Sequence, residues 1–381
     1  EAVHAMLRLQ PGQGLDTRQL DADLRRIYAT GDFESVSYTL TDRGDGSQAV
    51  TVQTTEKSWG PGYLRMGLNL SSDFSGNAYF NLLLAHRQTW LNALGGEWRN
   101  ELQTGRIDRA GTEWFQPLNV ERSVFLSTQA ETRREPFDIF SDGQRVARFR
   151  RDESAVRLQG GLALDNRAEL RAGLMRGRVR LDADTSQVPG ELVLPTVDTG
   201  GVETLLSVDT LDSLNFPHHG MALDVRYFES MPELGADLRY DKLDLSWRGA
   251  YAYDDHVLRA AYFTTRAADG GSLPDHELAS LGGFLRLSGY QTGELVGTRA
   301  QMGRLVYAYR ITSPGLLQGM ELGLSAEVGQ VRSEVADLEN SGLLHSNAVF
   351  LGVDTPVGPL YFGIGHAASG STAVYLFLGQ P

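Results

Sequence analysis

The chain has 381 residues, a net charge of −13 and no cysteine. The acidic balance argues against nucleic acid and against a basic surface for anionic lipid, and the missing thiols exclude disulfides and any Cys metal site. No stretch reaches the roughly 20 apolar residues of a membrane-spanning helix, which leaves open a membrane protein built from strands, because a barrel strand shows only alternate residues to lipid.

Residues 1–56 read as a small α/β module. The chain opens on Glu1 rather than Met, which reads as upstream sequence removed, and Glu1–Leu9 reads as the end of an earlier helix. Asp16 is placed to cap a helix, with Gln19 three residues on as its capping-box partner. Leu20, Leu24 and Ile27 then share one helical face, and Gly31 supplies a stop. Phe33–Leu40 and Ala49–Thr55 read as two strands joined by the turn Arg43-Gly44-Asp45-Gly46. The module would lack its first strand.

From Tyr63 onward the period changes from helical to two. Leu64, Met66, Leu68 and Leu70 alternate with Arg65, Gly67 and Asn69. Leu243, Leu245 and Trp247 alternate with charged or small residues, as do Met320, Leu322, Leu324, Ala326 and Val328. Several runs reach the roughly 9–11 residues that cross a bilayer at a tilt. Short connections (Asn92–Gly95, Asp165–Arg167, Asp254–Asp255) alternate with long ones (Arg134–Arg150, Leu181–Thr199, Ala267–Thr298). This is the outer-membrane barrel pattern. Sixteen strands are expected, near 62–72, 77–88, 96–106, 110–116, 123–133, 151–164, 168–180, 200–210, 220–230, 238–253, 256–266, 298–309, 319–331, 343–354, 359–367 and 371–380. An even number puts both ends of the barrel segment, and the module, on the periplasmic side. The expected fold is thus an all-β membrane protein: a sixteen-stranded antiparallel transmembrane barrel at 59–381, preceded by a truncated α/β domain at 1–58. By this parity Leu245 and Leu324 face lipid and reject charge, whereas Ser246 and Ser325 accept it.

Catalytic and cofactor chemistry finds no support. A serine-hydrolase elbow needs G-x-S-x-G, and no such pentapeptide occurs. His256 near Thr264, or His86, could imitate an outer-wall Ser/His pair, but barrel histidines are more often girdle or turn residues. His218-His219 is the one histidine cluster, in a turn beside Pro217, and lacks metal-ligand spacing. No catalytic residue, metal or cofactor is therefore expected. Asp209 and Asp212 read either as a carboxylate pair or as side chains stabilising a tight turn. Arg176, Arg178 and Arg180, with Arg148, Arg150 and Arg151, read either as lumen lining or as ligands for lipopolysaccharide phosphates near the outer rim.

Several motifs then carry a family resemblance. The helix followed by Tyr28-Ala29-Thr30-Gly31-Asp32-Phe33-Glu34-Ser35-Val36 resembles a POTRA (polypeptide-transport-associated) domain. Asp209-Thr210-Leu211-Asp212 with Phe216-Pro217 and Gly220, Leu281-Gly282-Gly283-Phe284 running into Ser288-Gly289-Tyr290, and Asp354-Thr355-Pro356-Val357-Gly358-Pro359-Leu360 resemble the outer-membrane insertase–translocase superfamily. Glu56-Lys57-Ser58-Trp59-Gly60-Pro61 and Gly111-Thr112-Glu113-Trp114-Phe115-Gln116-Pro117-Leu118 look most like its patatin-like autotransporters.

That resemblance implies an outer-membrane anchor and translocator for an upstream fused patatin-type lipase, this chain itself being no enzyme. The alternative is a two-partner secretion transporter or an outer-membrane protein assembly factor. Implied partners are outer-membrane lipid, the passenger domain and the barrel-assembly machinery, with a homo-oligomer left open. The loop motif ordinarily has Arg before Gly-Tyr. Here that position is Ser288, and the nearest arginine is Arg286. The resemblance folds this loop into the barrel. Arg286 is then expected to pair with Glu327 or Asp354, with Gly289 permitting close approach and Tyr290 packing on the wall. The alternative is Arg286 in solvent.

Overall fold

The computed structural model describes residues 7–10, 12–29, 33–56, 62–72, 74, 78–141, 143–164, 167–186, 196–311, 319–332 and 342–379. The Gly31 helix stop, Thr30–Asp32 of the POTRA-like junction, Lys57–Pro61, Asp165 and Asn166 of one short turn, and the terminal Gln380-Pro381 lie outside them, as does most of Glu1–Leu9.

Helix α1 (Thr17–Ala29) starts where Asp16 accepts the Arg18 and Gln19 backbone N–H groups at 2.9 and 3.3 Å. Such a cap satisfies amide donors that the first helical turn leaves free. Leu20, Leu24 and Ile27 bury against Phe33 at the start of β1 (Phe33–Asp42), which pairs antiparallel with β2 (Gln48–Glu56). Trp90 and Val120, from two turns of the barrel, pack on this same cluster and seat the module on the barrel.

Sixteen strands close the barrel in sequence order. They are β3 (Gly62–Ser72), β4 (Ala78–Gln88), β5 (Glu97–Gly105), β6 (Asp108–Pro117), β7 (Val124–Ser141), β8 (Gln144–Leu164), β9 (Ala168–Ser186), β10 (Val197–Asp209), β11 (Gly220–Ser230), β12 (Tyr240–Tyr253), β13 (His256–Arg266), β16 (Arg299–Ile311), β17 (Gly319–Arg332), β18 (Leu344–Thr355), β19 (Gly358–Ala367) and β20 (Thr372–Leu378). Two short strands, β14 (Ala279–Leu281) and β15 (Leu295–Gly297), pair inside the loop after β13. The closing seam between β20 and β3 has three residue pairs, against seven between β19 and β20.

Two expected long loops are shorter than the sequence suggested. Residues 134–150 are mostly strand, because β7 and β8 continue as a hairpin beyond the bilayer-spanning part. Arg134–Asp152 at 2.6 Å and the bidentate Arg148–Asp138 pair at 2.6 and 3.0 Å zip it together. Likewise β9 runs on to Ser186 and β10 begins at Val197.

The outer wall carries the expected parity. Leu64, Met66, Leu322 and Leu324 are 63, 72, 50 and 53% exposed, whereas Glu321 and Glu327 are 3% exposed. A belt of large exposed apolar side chains around a closed wall is costly in water and suited to lipid. Trp98, Trp114, Tyr251, Tyr253, Tyr307 and Tyr309 ring it near the end where the chain enters and leaves the barrel, as interfacial aromatics do. The chain is therefore a transmembrane β-barrel. Leu324→Arg should cost about 2–4 kcal/mol and reduce the heat-modifiable species on gels. Wild-type migration and yield would disprove the lipid-facing register. The matching expectation for Ser325 is corrected: Ser325 is 2% exposed and donates to Glu327 at 2.7 Å. An arginine there meets packed protein instead of lumen water.

Candidate functional site

Residues 267–298 leave the rim after β13 and fold into the barrel. β14 descends, β15 returns, and the tip between them turns at Gly282 and Gly283, with φ of 115° and 109°. Glycine reaches this region without steric cost. Leu285 and Leu287 also take left-handed φ, 57° and 73°, a strained state that persists only when the surroundings enforce it.

The surroundings do so through the wall. The Ser288 N–H donates to Glu327 Oε2 at 2.6 Å, and the Ser288 hydroxyl donates to Oε1 at 2.7 Å. That hydroxyl accepts from the Leu285 N–H at 2.8 Å. The Gly289 N–H donates to Ser346 Oγ at 2.7 Å, and the Tyr375 hydroxyl donates to the Tyr290 carbonyl at 2.9 Å. Arg304, the cross-strand partner of Glu327, donates to the Leu285 carbonyl at 2.8 Å. Contact is too close for side chains: a Cβ on Gly289 would overlap Ala367, and one on Gly365 would overlap the Ser288 carbonyl. Beneath the tip, Phe284 packs among Phe350, Tyr361, Tyr375 and Phe377, with ring centroids 5.4–6.1 Å away.

The expected Arg286 pairing is not made. Glu327 is occupied by Ser288 and Ser325, and Asp354 accepts from Asn215 at 3.1 Å. The turn closed by the Arg286 N–H to the Gly283 carbonyl sends Arg286 away from Ser288. Its guanidinium lies 4.9 Å from the Phe263 ring centroid, and the residue is exposed in the lumen. Tyr290 packs inside the barrel with Leu281, Leu287 and Ala367.

The turn motif forms a second inward element, from the opposite end. Asp209 accepts from the Leu211 N–H at 3.0 Å and Asp212 from the His218 N–H at 2.8 Å, so both carboxylates shape the turn. Gly220, φ 99°, passes against the Thr210 carbonyl. Phe216 enters the aromatic cluster, 5.5 Å from Tyr361, and the Pro217 carbonyl accepts from Arg259 at 2.9 Å. Arg259 also holds Glu321 through two bonds of 2.6 and 2.7 Å. Sequence reasoning missed Arg304, Ser346, Tyr375, Arg259 and Asn215. Their only sequence signal is inward parity or a place beside a motif.

Where the loop leaves the rim, Glu277 bonds Lys242 at 2.7 Å and Tyr240 at 3.0 Å. Burial pushes its carboxyl up, but Lys242 and Arg151 outweigh burial and hold it well below the ordinary carboxylate range. Burial pushes the adjacent His276 imidazole down. The facing half of the lumen is a lattice of opposite charges. Glu97 takes Arg87, Arg99 and Arg122; Glu113 takes Arg99 and Arg171; Glu131 takes Arg109; and Glu203 takes Arg157 and Arg226.

Neither expected imitation of a hydrolase pair is assembled. His256 bonds the Tyr307 hydroxyl at 2.7 Å, Thr264 bonds the Ala300 carbonyl, and His86 meets Asn100. Among the described residues no group of three His, Asp or Glu side chains could hold a metal ion.

No family model and no curated protein matches the chain. Solved structures do. BamA from Haemophilus ducreyi lacking POTRA domains 1–3 superposes with a TM-score of 0.74 at 14% identity, over 98% of this chain and 80% of that one. CdiB from Escherichia coli gives 0.64 at 13%, over 99% and 73%. CdiB from Acinetobacter baumannii gives 0.65 at 11%, over 99% and 71%. What this chain has in common with them, across nearly all of its length, is the fold of the sixteen-stranded BamA and CdiB barrels.

Proposed function

We propose that the chain is an outer-membrane translocator and anchor, with residues 1–58 a periplasmic POTRA domain and residues 59–381 the barrel, delivering a passenger joined upstream of Glu1. The observation that carries this reading is the divided lumen. A loop locked to Glu327 fills one side, and a charged, water-compatible wall lines the other. A simple pore has no use for the lock, and the small domain seated against Trp90 and Val120 stands where a chain would enter. The likeness to BamA and CdiB supports a transporter or assembly factor over an enzyme, and the sequence contains no G-x-S-x-G pentapeptide. The patatin-like motifs quoted above make a patatin-type lipase the favoured passenger. Outer-membrane lipid and the barrel-assembly machinery are the other partners, the latter needed to insert the barrel.

The test uses the full chain with its upstream sequence, tagged at the distal end, in intact cells. Protease should remove the tag from outside while the barrel migrates as folded. A protected tag above a folded barrel refutes delivery of a fused passenger. Export of a separately made polypeptide instead would establish the two-partner alternative.

A further inference from the structure

Arg176, Arg178 and Arg180 alternate along β9, and the structure decides which way they face. Of the opposite parity, Met175 and Val179 are buried inside, 6 and 2% exposed, whereas Leu170 and Leu174, of the same parity as the arginines, are 42 and 50% exposed on the apolar belt. Arg176, Arg178 and Arg180 therefore project from the outer wall toward lipid and do not line the lumen, whereas Arg151 faces inward to Glu277.

Arg134 on β7 and Arg150 on β8 share this face. Five guanidinium groups contact three carboxylates. Asp152 is shared by Arg134 at 2.6 Å, Arg150 at 3.8 Å and Arg180 at 3.4 Å. Asp182 is shared by Arg150 at 3.6 Å and Arg180 at 3.0 Å, and Asp198 by Arg178 at 2.7 Å and Arg176 at 3.4 Å. The five arginine side chains are 42–64% exposed and the three aspartates 21–35%. The carboxylates thus lie beneath a cationic layer, in which Arg176 also spends one donor on the Leu234 carbonyl at 2.9 Å. Each guanidinium carries five such donors in a fork that suits phosphate. The net charge of −13 excludes a basic surface overall but not this local one.

Beside the arginines lies an open groove of about 680 Å³. It runs from Ala110 and Thr132 across Ser154 and Val156 to Arg176 and Arg178. Its depth in the wall is unusual. On β9 the outward uncharged positions run only from Ala168 to Leu174. At a strand rise of about 3.3 Å and a tilt of about 40°, that is roughly 15 Å of height. A full belt is about 25 Å tall, so the Arg176 and Arg178 guanidinium groups, which follow Leu174 directly on this face, sit where hydrocarbon would otherwise meet them, and an anionic headgroup drawn down to this level satisfies them.

We propose that this groove binds a lipid with a phosphate-bearing headgroup, taken from the leaflet at the barrel end opposite the termini. One acyl chain lies over Thr132, Ser154 and Val156, and the phosphate lies between Arg176 and Arg178. The choice of leaflet rests on the orientation proposed above, in which the termini are periplasmic and this is the cell-surface leaflet. A free phosphate ion has no use for the groove.

The full chain, refolded in detergent micelles, is titrated with diphosphoryl lipid A, and bound lipid is counted by native mass spectrometry. Retention of the phosphorylated lipid is expected, with little retention of the same lipid after dephosphorylation. Inorganic phosphate should not displace it. Arg176→Gln combined with Arg178→Gln should weaken retention about tenfold, the loss of one good charge-assisted contact. Arg239→Gln, an exposed arginine paired with Glu233 outside the groove, should change nothing. Ser154→Trp fills the groove with both arginines in place, should also weaken retention, and decides the matter if the double variant does not fold. Wild-type retention in the folded variants, equal retention of the dephosphorylated lipid, or displacement by phosphate alone overturns the proposal. Passenger delivery is scored separately, so a failure here is distinguishable from a failure of the transport reading.

Discussion

Gly365→Val is expected to unseat the inward loop while leaving the barrel closed. Gly365 sits on β19 directly under the Ser288 carbonyl, and any Cβ there overlaps it. Backbone on both sides leaves no flexible side chain to give way, so the tip must move. Moving it breaks the two Ser288–Glu327 bonds, the Gly289–Ser346 bond and the Tyr375–Tyr290 bond together. Net values of about 0.5–1.5 kcal/mol for neutral bonds and 1.5–3 kcal/mol for those to a charge imply a loss of at least about 4 kcal/mol. The ladder pairs of Gly365 with Ala348 and Ala373 are backbone-made and survive. Heat-modifiable migration should persist, the melting transition should fall, and single-channel conductance should rise severalfold. Gly303→Ala is the control, because its nearest neighbour across the wall is Val328 at 3.7 Å. Unchanged conductance in Gly365→Val would show that the loop does not limit the lumen.

Glu327→Ala should have the second large effect. It leaves the Ser288 N–H, the Ser288 hydroxyl and the Ser325 hydroxyl without their acceptor, and Arg304 without the anion opposite it. Removing one member of a buried charge network typically costs about 3–5 kcal/mol. Ser288→Ala should cost less in that background than alone, since its hydroxyl bond to Glu327 is already gone and only the bond from the Leu285 N–H is left to lose. Arg286→Ala, by contrast, loses a stack on Phe263 at an exposed site, worth about 0.5–1 kcal/mol. Urea or heat titration of the folded species on gels separates the two. An Arg286→Ala loss as large as that of Glu327→Ala would restore the arginine to the lock.

Much of the barrel was legible because lipid imposes a strict period of two. Leu64, Leu243 and Leu322 with their partners mark the wall, and β11 and β13 have the expected bounds of 220–230 and 256–266. The reading failed where that pressure stops. Above the bilayer the β7–β8 hairpin carries charge on both faces, so its residues looked like loop. The arginines of β9 obscured a parity that Leu170 and Leu174 already carried. In the candidate site, the inward loop and its close approach at Gly289 could be read from motif and glycine content. The partner of Glu327 could not, because the left-handed turns at Leu285 and Leu287 decide which side chain meets it and have no sequence signature. Arg304 looked like any inward-facing charge until pairing set it opposite Glu327.

The charged lattice on the free side of the lumen has a consequence for traffic. Its arginines and glutamates are bonded to one another, so neither sign presents a continuous trap to a passing segment. Apolar side chains find little there to adhere to, and charged ones must compete with partners already in place. Such a wall offers low friction. The loop and Phe216 fill part of the opposite side, and a section narrowed in this way admits an extended chain more readily than an α-helix, whose diameter with side chains is about 10–12 Å. Whatever moves along this wall should therefore move unfolded, and progress would depend on events at the two ends instead of on grip along the way.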